Sequence, residues 1–112
     1  MRPTAFRAGT TADYPEGTVR FNRQRKAYVI GGMGGVYAVS AVCTHLGCIT
    51  RFLSDEFVIA CPCHGSRFDI EGNVVHGPAP RALPWLEIKP DPSGNLVVDT
   101  SVVIPRGSVF KV

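Results

Sequence analysis

Two short knots constrain this chain more than any other feature. Residues 43-CTHLGC-48 and 61-CPCHGSRFD-69 together hold all four cysteines and two of the three histidines. Three chemistries suit such a pattern: disulfides alone, a zinc site, or an iron–sulfur cluster. The rest of the sequence says what scaffold must carry them.

Twelve Gly and nine Pro break up a chain of 112 residues. The runs between them are short and rich in Val, Ile, Phe and Tyr, and none keeps a helical period for three turns. That pattern predicts an all-β fold with strands of about 4–6 residues. The expected strands are 17-GTVRF-21, 27-AYVI-30, 35-GVYAVS-40, 57-FVIA-60, 85-WLEIK-89 and 95-NLVVD-99. In the fifth, Leu86 and Ile88 point one way and Glu87 and Lys89 the other, the alternation of a half-buried strand. The turn 92-PSG-94 joins the last two runs as a hairpin. Between the second and third, 31-GGMGG-35 supplies glycines suited to positive φ. It lacks the Lys-Ser/Thr ending and following helix of a phosphate loop, so it reads as a hairpin turn. Residues 42–82 differ from their flanks. They are loop-rich, contain every Cys, and end in 77-GPAPRALP-84, where proline stiffens the chain by fixing φ. The expectation is one domain over 1–112. A loop-rich subdomain, 42–82, is inserted in a β base made of 1–41 and 83–112.

Hydrophobic residues make up 45% and charged residues 19%, a globular and not a disordered composition. The net charge is only +3. Arg23, Arg25 and Lys26 cluster in an expected turn without interleaved aromatics, which reads as a solvated hairpin tip and not a nucleic-acid patch. No apolar run approaches the roughly 18–20 residues of a membrane-spanning helix. Met1-Arg2-Pro3-Thr4 leads straight into mixed sequence, without a signal peptide. The expectation is a soluble unit, with room for an anchor ahead of Met1 in a longer protein.

Disulfides alone would pair four cysteines in one of three ways. They leave His45 and His64 unexplained, although each follows a cysteine closely. Zinc accepts Cys and His in a tetrahedron, but six candidate ligands exceed its four, and the C-x2-C pairs that structural zinc favours are absent. The protein would then be a zinc-stabilised interaction module. A two-iron cluster with mixed ligands uses every residue. Cys43 and Cys61 would hold one iron and His45 and His64 the other, leaving Cys48 and Cys63 free to bridge the loops.

The pair C-x-H-x2-C and C-x-C-H-G-S-x-F-D resembles the Rieske [2Fe–2S] proteins, in particular the disulfide-containing branch of cytochrome bc and b6f quinol-oxidising complexes. The run 77-GPAP-80 is similar to that family's proline loop, which packs over the cluster. Outside these motifs the likeness is only in β character. The resemblance implies a Rieske-type antiparallel β sandwich. It implies Cys43, His45, Cys61 and His64 as cluster ligands, a Cys48–Cys63 disulfide, and Ser66 as a hydrogen-bond donor to the cluster. The disulfide would fit an oxidising compartment. The implied role is a one-electron relay within a quinol:cytochrome c oxidoreductase. Quinol at a cytochrome b-like subunit is the donor and a c-type haem the acceptor. The implied place is the periplasmic or other positive side of an energy-transducing membrane. Membrane contact would come through the complex or through an anchor missing ahead of Met1. Alone, the domain would turn nothing over.

Charge explains why such a centre uses histidine. Two ferric ions, two sulfides, two thiolates and two neutral imidazoles sum to zero, whereas four thiolates leave two negative charges. A neutral centre accepts an electron more readily: about −150 to +300 mV for Rieske centres against about −400 mV for plant-type ferredoxins. A histidine held by one ring nitrogen keeps a titratable proton on the other. His45 and His64 are therefore expected to couple proton uptake to electron uptake and to meet the quinol hydroxyl. Phe68 stands where the family often has Tyr. Without a hydroxyl to donate, it is expected to set a potential in the middle or lower part of the range, suited to a quinol such as menaquinol. Phe68 also reads as a core aromatic. Leu46 is expected to shield the cluster or to form an apolar docking tip. Asp69 reads as a local turn cap, His76 as a surface-loop residue, and Trp85 as core.

Two other iron–sulfur settings fit. One is the Rieske small subunit of an arsenite oxidase, which works with a molybdenum subunit and can carry the disulfide. The other is a ferredoxin for an aromatic-ring dioxygenase, which usually lacks the cysteines seen here at 48 and 63.

Overall fold

The computed structural model describes residues 1–111. In chain order the strands are β1 (Ala5–Arg7), β2 (Val19–Asn22), β3 (Ala27–Gly32), β4 (Gly35–Ser40), β5 (Arg51–Leu53), β6 (Val58–Ala60), β7 (Arg67–Phe68), β8 (Val74–His76), β9 (Trp85–Pro90), β10 (Leu96–Ile104) and β11 (Phe110–Lys111). A 3-10 turn, Thr11–Asp13, is the only helical element among the described residues, and no helix there is long and apolar enough to cross a membrane. All the strand pairings are antiparallel, so the fold is all-β as the sequence predicts.

The base is a curled sheet in the order β1-β10-β9-β4-β3-β2, with β11 also paired to β4. Its centre is the β3–β4 hairpin. Met33 and Gly34 turn it with φ of 56° and 81°, the two positive values that a tight two-residue hairpin requires. A side chain at Gly35 would run into the Phe110 carbonyl, so glycine there lets β11 lie against β4. Alternation along β3 and β4 builds two cores. Ala27, Val29, Val36 and Ala38 pack with Leu86, Leu96 and Val98 on one face. Tyr28, Ile30, Tyr37, Val39 and Trp85 pack on the other, together with Cys43, Ile59, Cys61, Phe68 and Leu83.

That second core joins the base to a smaller sheet, β5-β6-β7-β8, which carries the two knots. The Trp85 indole stacks on the Tyr37 ring, 4.3 Å between centroids. Trp85 Nε1 donates to the Glu71 carbonyl at 2.8 Å and the Tyr37 hydroxyl donates to the Ile70 carbonyl at 2.9 Å. Two amphipathic rings thus hold the 69–73 turn against the base while staying buried themselves. The Tyr28 and Thr50 hydroxyls, 2.9 Å apart, make a further tie. Strands β5, β7 and β8 lie within the region that reads as loop-rich in sequence; two or three residues are too few for alternation to show. The last expected strand continues past residue 99 to Ile104 through a register shift between Asp99 and Val103.

Candidate metal centre

The two knots are built alike. Val42 bridges Ile49, and Ala60 pairs with Arg67, so each knot is a six-residue loop closed by antiparallel pairing. In the first, the Cys43 N–H donates to the Cys48 carbonyl at 2.8 Å and Gly47 N–H to the Cys43 carbonyl at 3.0 Å. In the second, Cys61 N–H donates to the Ser66 carbonyl at 2.8 Å and Gly65 N–H to the Cys61 carbonyl at 3.1 Å. Gly47 and Gly65 take φ of 79° and 82°, a conformation that glycine adopts without a steric cost. The C-x3-G spacing common to both knots is the sequence signal of this geometry, and the motif reading above does not use it.

The two loops meet each other. Cys43 and Cys61 are free thiols, 2% and 3% exposed. The His45 and His64 rings meet edge-on, 4.9 Å between centroids, His64 exposed and His45 half-buried. His45 Nδ1 is buried with no hydrogen-bond partner. Cys48 and Cys63 form a disulfide that ties loop to loop, with Cα atoms 6.5 Å apart. Leu46 stands out at the tip, 66% exposed. Burial pushes the Cys43 thiol above its ordinary pKa. The His45 backbone N–H opposes this, the neighbouring Cys61 thiol adds to it, and the Ser66 hydroxyl opposes it. A bound cation would reverse that preference and favour the thiolate.

The third segment is 77-GPAPRALP-84, which straps both loops. Thr44 Oγ1 donates to the Arg81 carbonyl at 2.6 Å, and the Ala79 N–H donates to Ser66 Oγ at 3.0 Å. Ser66 is fully buried and within hydrogen-bonding reach of the Cys43 sulfur. One hydroxyl therefore joins the second loop to the strap, close to a thiol of the first loop. Phe68 is fully buried in the same core as the two thiols. Asp69 Oδ1 accepts from the Glu71 and Asn73 amides, a local turn role. His76 is exposed on β8 opposite Arg67.

The model of the Rieske [2Fe-2S] domain matches residues 4–87, three quarters of the chain. The chain belongs to the Rieske [2Fe–2S] family. It is 39% identical over 93 residues to the cytochrome b6-f complex iron-sulfur subunit of Chlorobaculum tepidum, covering 80% of this chain and 50% of that protein. It is 45% identical over 80 residues to the cytochrome bc1 complex Rieske iron-sulfur subunit of Corynebacterium efficiens, covering 69% of this chain and 20% of that protein. The chain thus spans half or less of the length of these relatives. The plasma membrane Rieske protein PetC3 from Synechocystis PCC 6803 superposes with a TM-score of 0.62 at 31% identity, over 84% of this chain and 98% of that one.

The Rieske cofactor is a [2Fe–2S] cluster with mixed sulfur and nitrogen ligation, and the donor set fits it. The loops supply two buried thiols and two imidazoles in contact with each other, one of which has an orphaned buried nitrogen. Among the described residues, the grouping of ligand atoms tight enough for a single ion is Cys48, Cys61 and Cys63, all within 4.8 Å of one another. Cys48 and Cys63 are spent in the disulfide. That leaves Cys43, His45, Cys61 and His64, two sulfur and two nitrogen donors, the mixed set that a Rieske centre takes. Ser66→Ala is expected to leave the buried Ala79 N–H without an acceptor, at about 1–3 kcal/mol, and to lower the potential by removing a donor near sulfur. Urea unfolding and voltammetry on the variant measure the two effects separately.

Proposed function

We propose that this chain is the soluble, cluster-bearing part of a quinol:cytochrome c oxidoreductase. Cys43 and Cys61 hold one iron and His45 and His64 the other, with residues 42–82 as the cluster-binding unit. When bound, the cluster supplies a one-electron couple. The observation that carries this reading is the unpartnered, buried His45 Nδ1, in a ring set edge-on to His64 in loops that also bring two buried thiols. With Nδ1 on metal, His45 Nε2 is the atom left to hold a proton. The exposed edge of His64 gives a donor hydroxyl direct access. Leu46 in the first loop and Pro78 and Pro80 in the strap are exposed apolar groups. Such groups can seat against a cytochrome subunit and exclude water from the contact. Ser66, Phe68 and Leu83 seal the thiols from solvent. The relatives at 39% and 45% identity are subunits of cytochrome b6-f and bc1 complexes. That supports cytochrome partners and a membrane-complex setting over the arsenite-oxidase one. Quinol as donor, a c-type haem as acceptor and the positive side of the membrane complete the reading.

A redox titration of the holoprotein tests it. The midpoint is expected in the middle or lower part of the span of about −150 to +300 mV, and Phe68→Tyr is expected to raise it. The new hydroxyl would sit in the core that contains both thiols and can donate to sulfur. A wild-type midpoint near −400 mV would exclude mixed Cys/His ligation. A fall in Phe68→Tyr would contradict the role given to the missing hydroxyl.

A further inference from the structure

A groove of about 900 Å³ lies between the two sheets. One wall is β2, the outermost strand of the base; the other is β5, the outermost strand of the small sheet. Val19 and Phe21 line it from β2, and Arg51 and Phe52 from β5. The β2 edge is open. Thr18 accepts from the Gly31 N–H at 2.9 Å, so Thr18 faces β3. Alternation then points the amides and carbonyls of Val19 and Phe21 away from β3, at the free edge of the sheet that adjoins the groove. Among the described residues no turn or loop hydrogen bond reaches either of them. Phe21 is also 42% exposed. An unpaired edge beside exposed aromatic surface is a template for strand addition.

The charge on the rim is of one sign. Arg23, Lys26 and Arg51 border the groove and no carboxylate lines it. Among the described residues none of the three is in an ion pair. Ile49 and Pro62, sequence neighbours of the disulfide cysteines, also line the groove. An occupant would therefore touch both loops from the side and leave Leu46 and His64 free.

We propose that this groove docks an extended acidic segment of a partner protein, which adds to the β2 edge as a further strand. Its backbone pairs with Val19 and Phe21. Apolar side chains on one face rest on Phe21 and Phe52, and carboxylates meet Arg23, Lys26 and Arg51. A phosphate polymer or an anionic lipid would satisfy the cations but not the alternating backbone donors and acceptors. None of the cluster-ligand candidates lines the groove, so docking here is compatible with a second contact at the cluster tip.

The test is an amide-shift titration of the 15N-labelled holoprotein at low salt with a short N-acetylated peptide alternating valine and glutamate. Saturable shifts are expected at Val19, Phe21 and the β5 amides. Binding is expected to weaken about ten-fold, or about 1.4 kcal/mol, in the Arg23→Glu/Arg51→Glu double variant. Both substitutions are on exposed residues, and an unchanged far-UV spectrum checks the fold. A peptide with lysine for glutamate is expected not to bind. One N-methylated at alternate amides keeps the charge but loses the pairing, and is expected to bind much more weakly. The proposal is overturned by no shift at millimolar peptide, by shifts confined to the 43–48 and 61–66 loops, or by undiminished binding in the double variant. It is also overturned if the N-methylated peptide binds equally well, or if anionic phosphatidylglycerol vesicles shift the same amides and the peptide does not.

Discussion

A His64→Ala protein is expected to fold and to carry no intact cluster. His64 is exposed at the end of its loop, so truncating it opens no cavity in the core. The loop's own closure, from Cys61 and Gly65 backbone bonds, does not use the imidazole. What the variant loses is a donor: one iron of the proposed pair would have a single nitrogen ligand and water in place of the second. Far-UV dichroism should be that of an antiparallel β protein. Visible absorption and protein-bound iron should fall to near background. His45→Ala should do the same and additionally soften the first loop, since that ring is half-buried. The informative companion is His64→Cys. A third thiolate would add negative charge, so any cluster retained should titrate well below the wild type, toward the all-cysteine range near about −400 mV. A His64→Ala protein with a full and unshifted chromophore would remove histidine from the ligand set.

Removing the disulfide should be the largest stability change available without touching the core. Cys48 and Cys63 are 15 residues apart in sequence, and a cross-link closing a loop of that size constrains the unfolded chain by about 3 kcal/mol. For a domain of this size the Cys48→Ser/Cys63→Ser variant should melt on the order of 10 °C or more lower. Trp85, buried on the base, reports global unfolding by fluorescence. The iron chromophore reports the loops. The two signals should coincide in the wild type and separate in the variant, with the chromophore lost first, because the bond ties the loops to each other and not to the base. Coincident transitions at an unchanged midpoint would mean that the strap of residues 77–84 alone holds the loops together.

The parts of the fold legible in sequence are apolar runs bounded by glycine or proline, and one alternation long enough to be seen. Strands β3 and β4 show as continuous apolar runs, buried on both faces, and β9 as an alternation of apolar and charged residues. The three-residue β5 and two-residue β7 show neither, and tertiary pairing defines them. Turns divide in a similar way. Residues 69-DIEGN-73 and 91-DPSGN-95 form the same hairpin, each with an Asp side chain accepting two backbone N–H groups. The second announces itself through proline and glycine together, whereas the first has glycine alone and reads as loop. At the metal centre the residue types and their spacing were on the surface of the sequence, because ligand chemistry restricts which side chains can serve. The strap was not. The Thr44–Arg81 and Ser66–Ala79 bonds join residues far apart along the chain, and no local pattern encodes such a bond. Nor does sequence position fix how far Leu46 is exposed; only the packed loops do that.

Metal and acid-labile sulfide analysis of the purified holoprotein tests the central claim most directly. The account predicts two iron atoms and two labile sulfides per chain, as a [2Fe–2S] centre requires, with zinc at background. Stoichiometric zinc, iron without sulfide, or a chain free of both would contradict it.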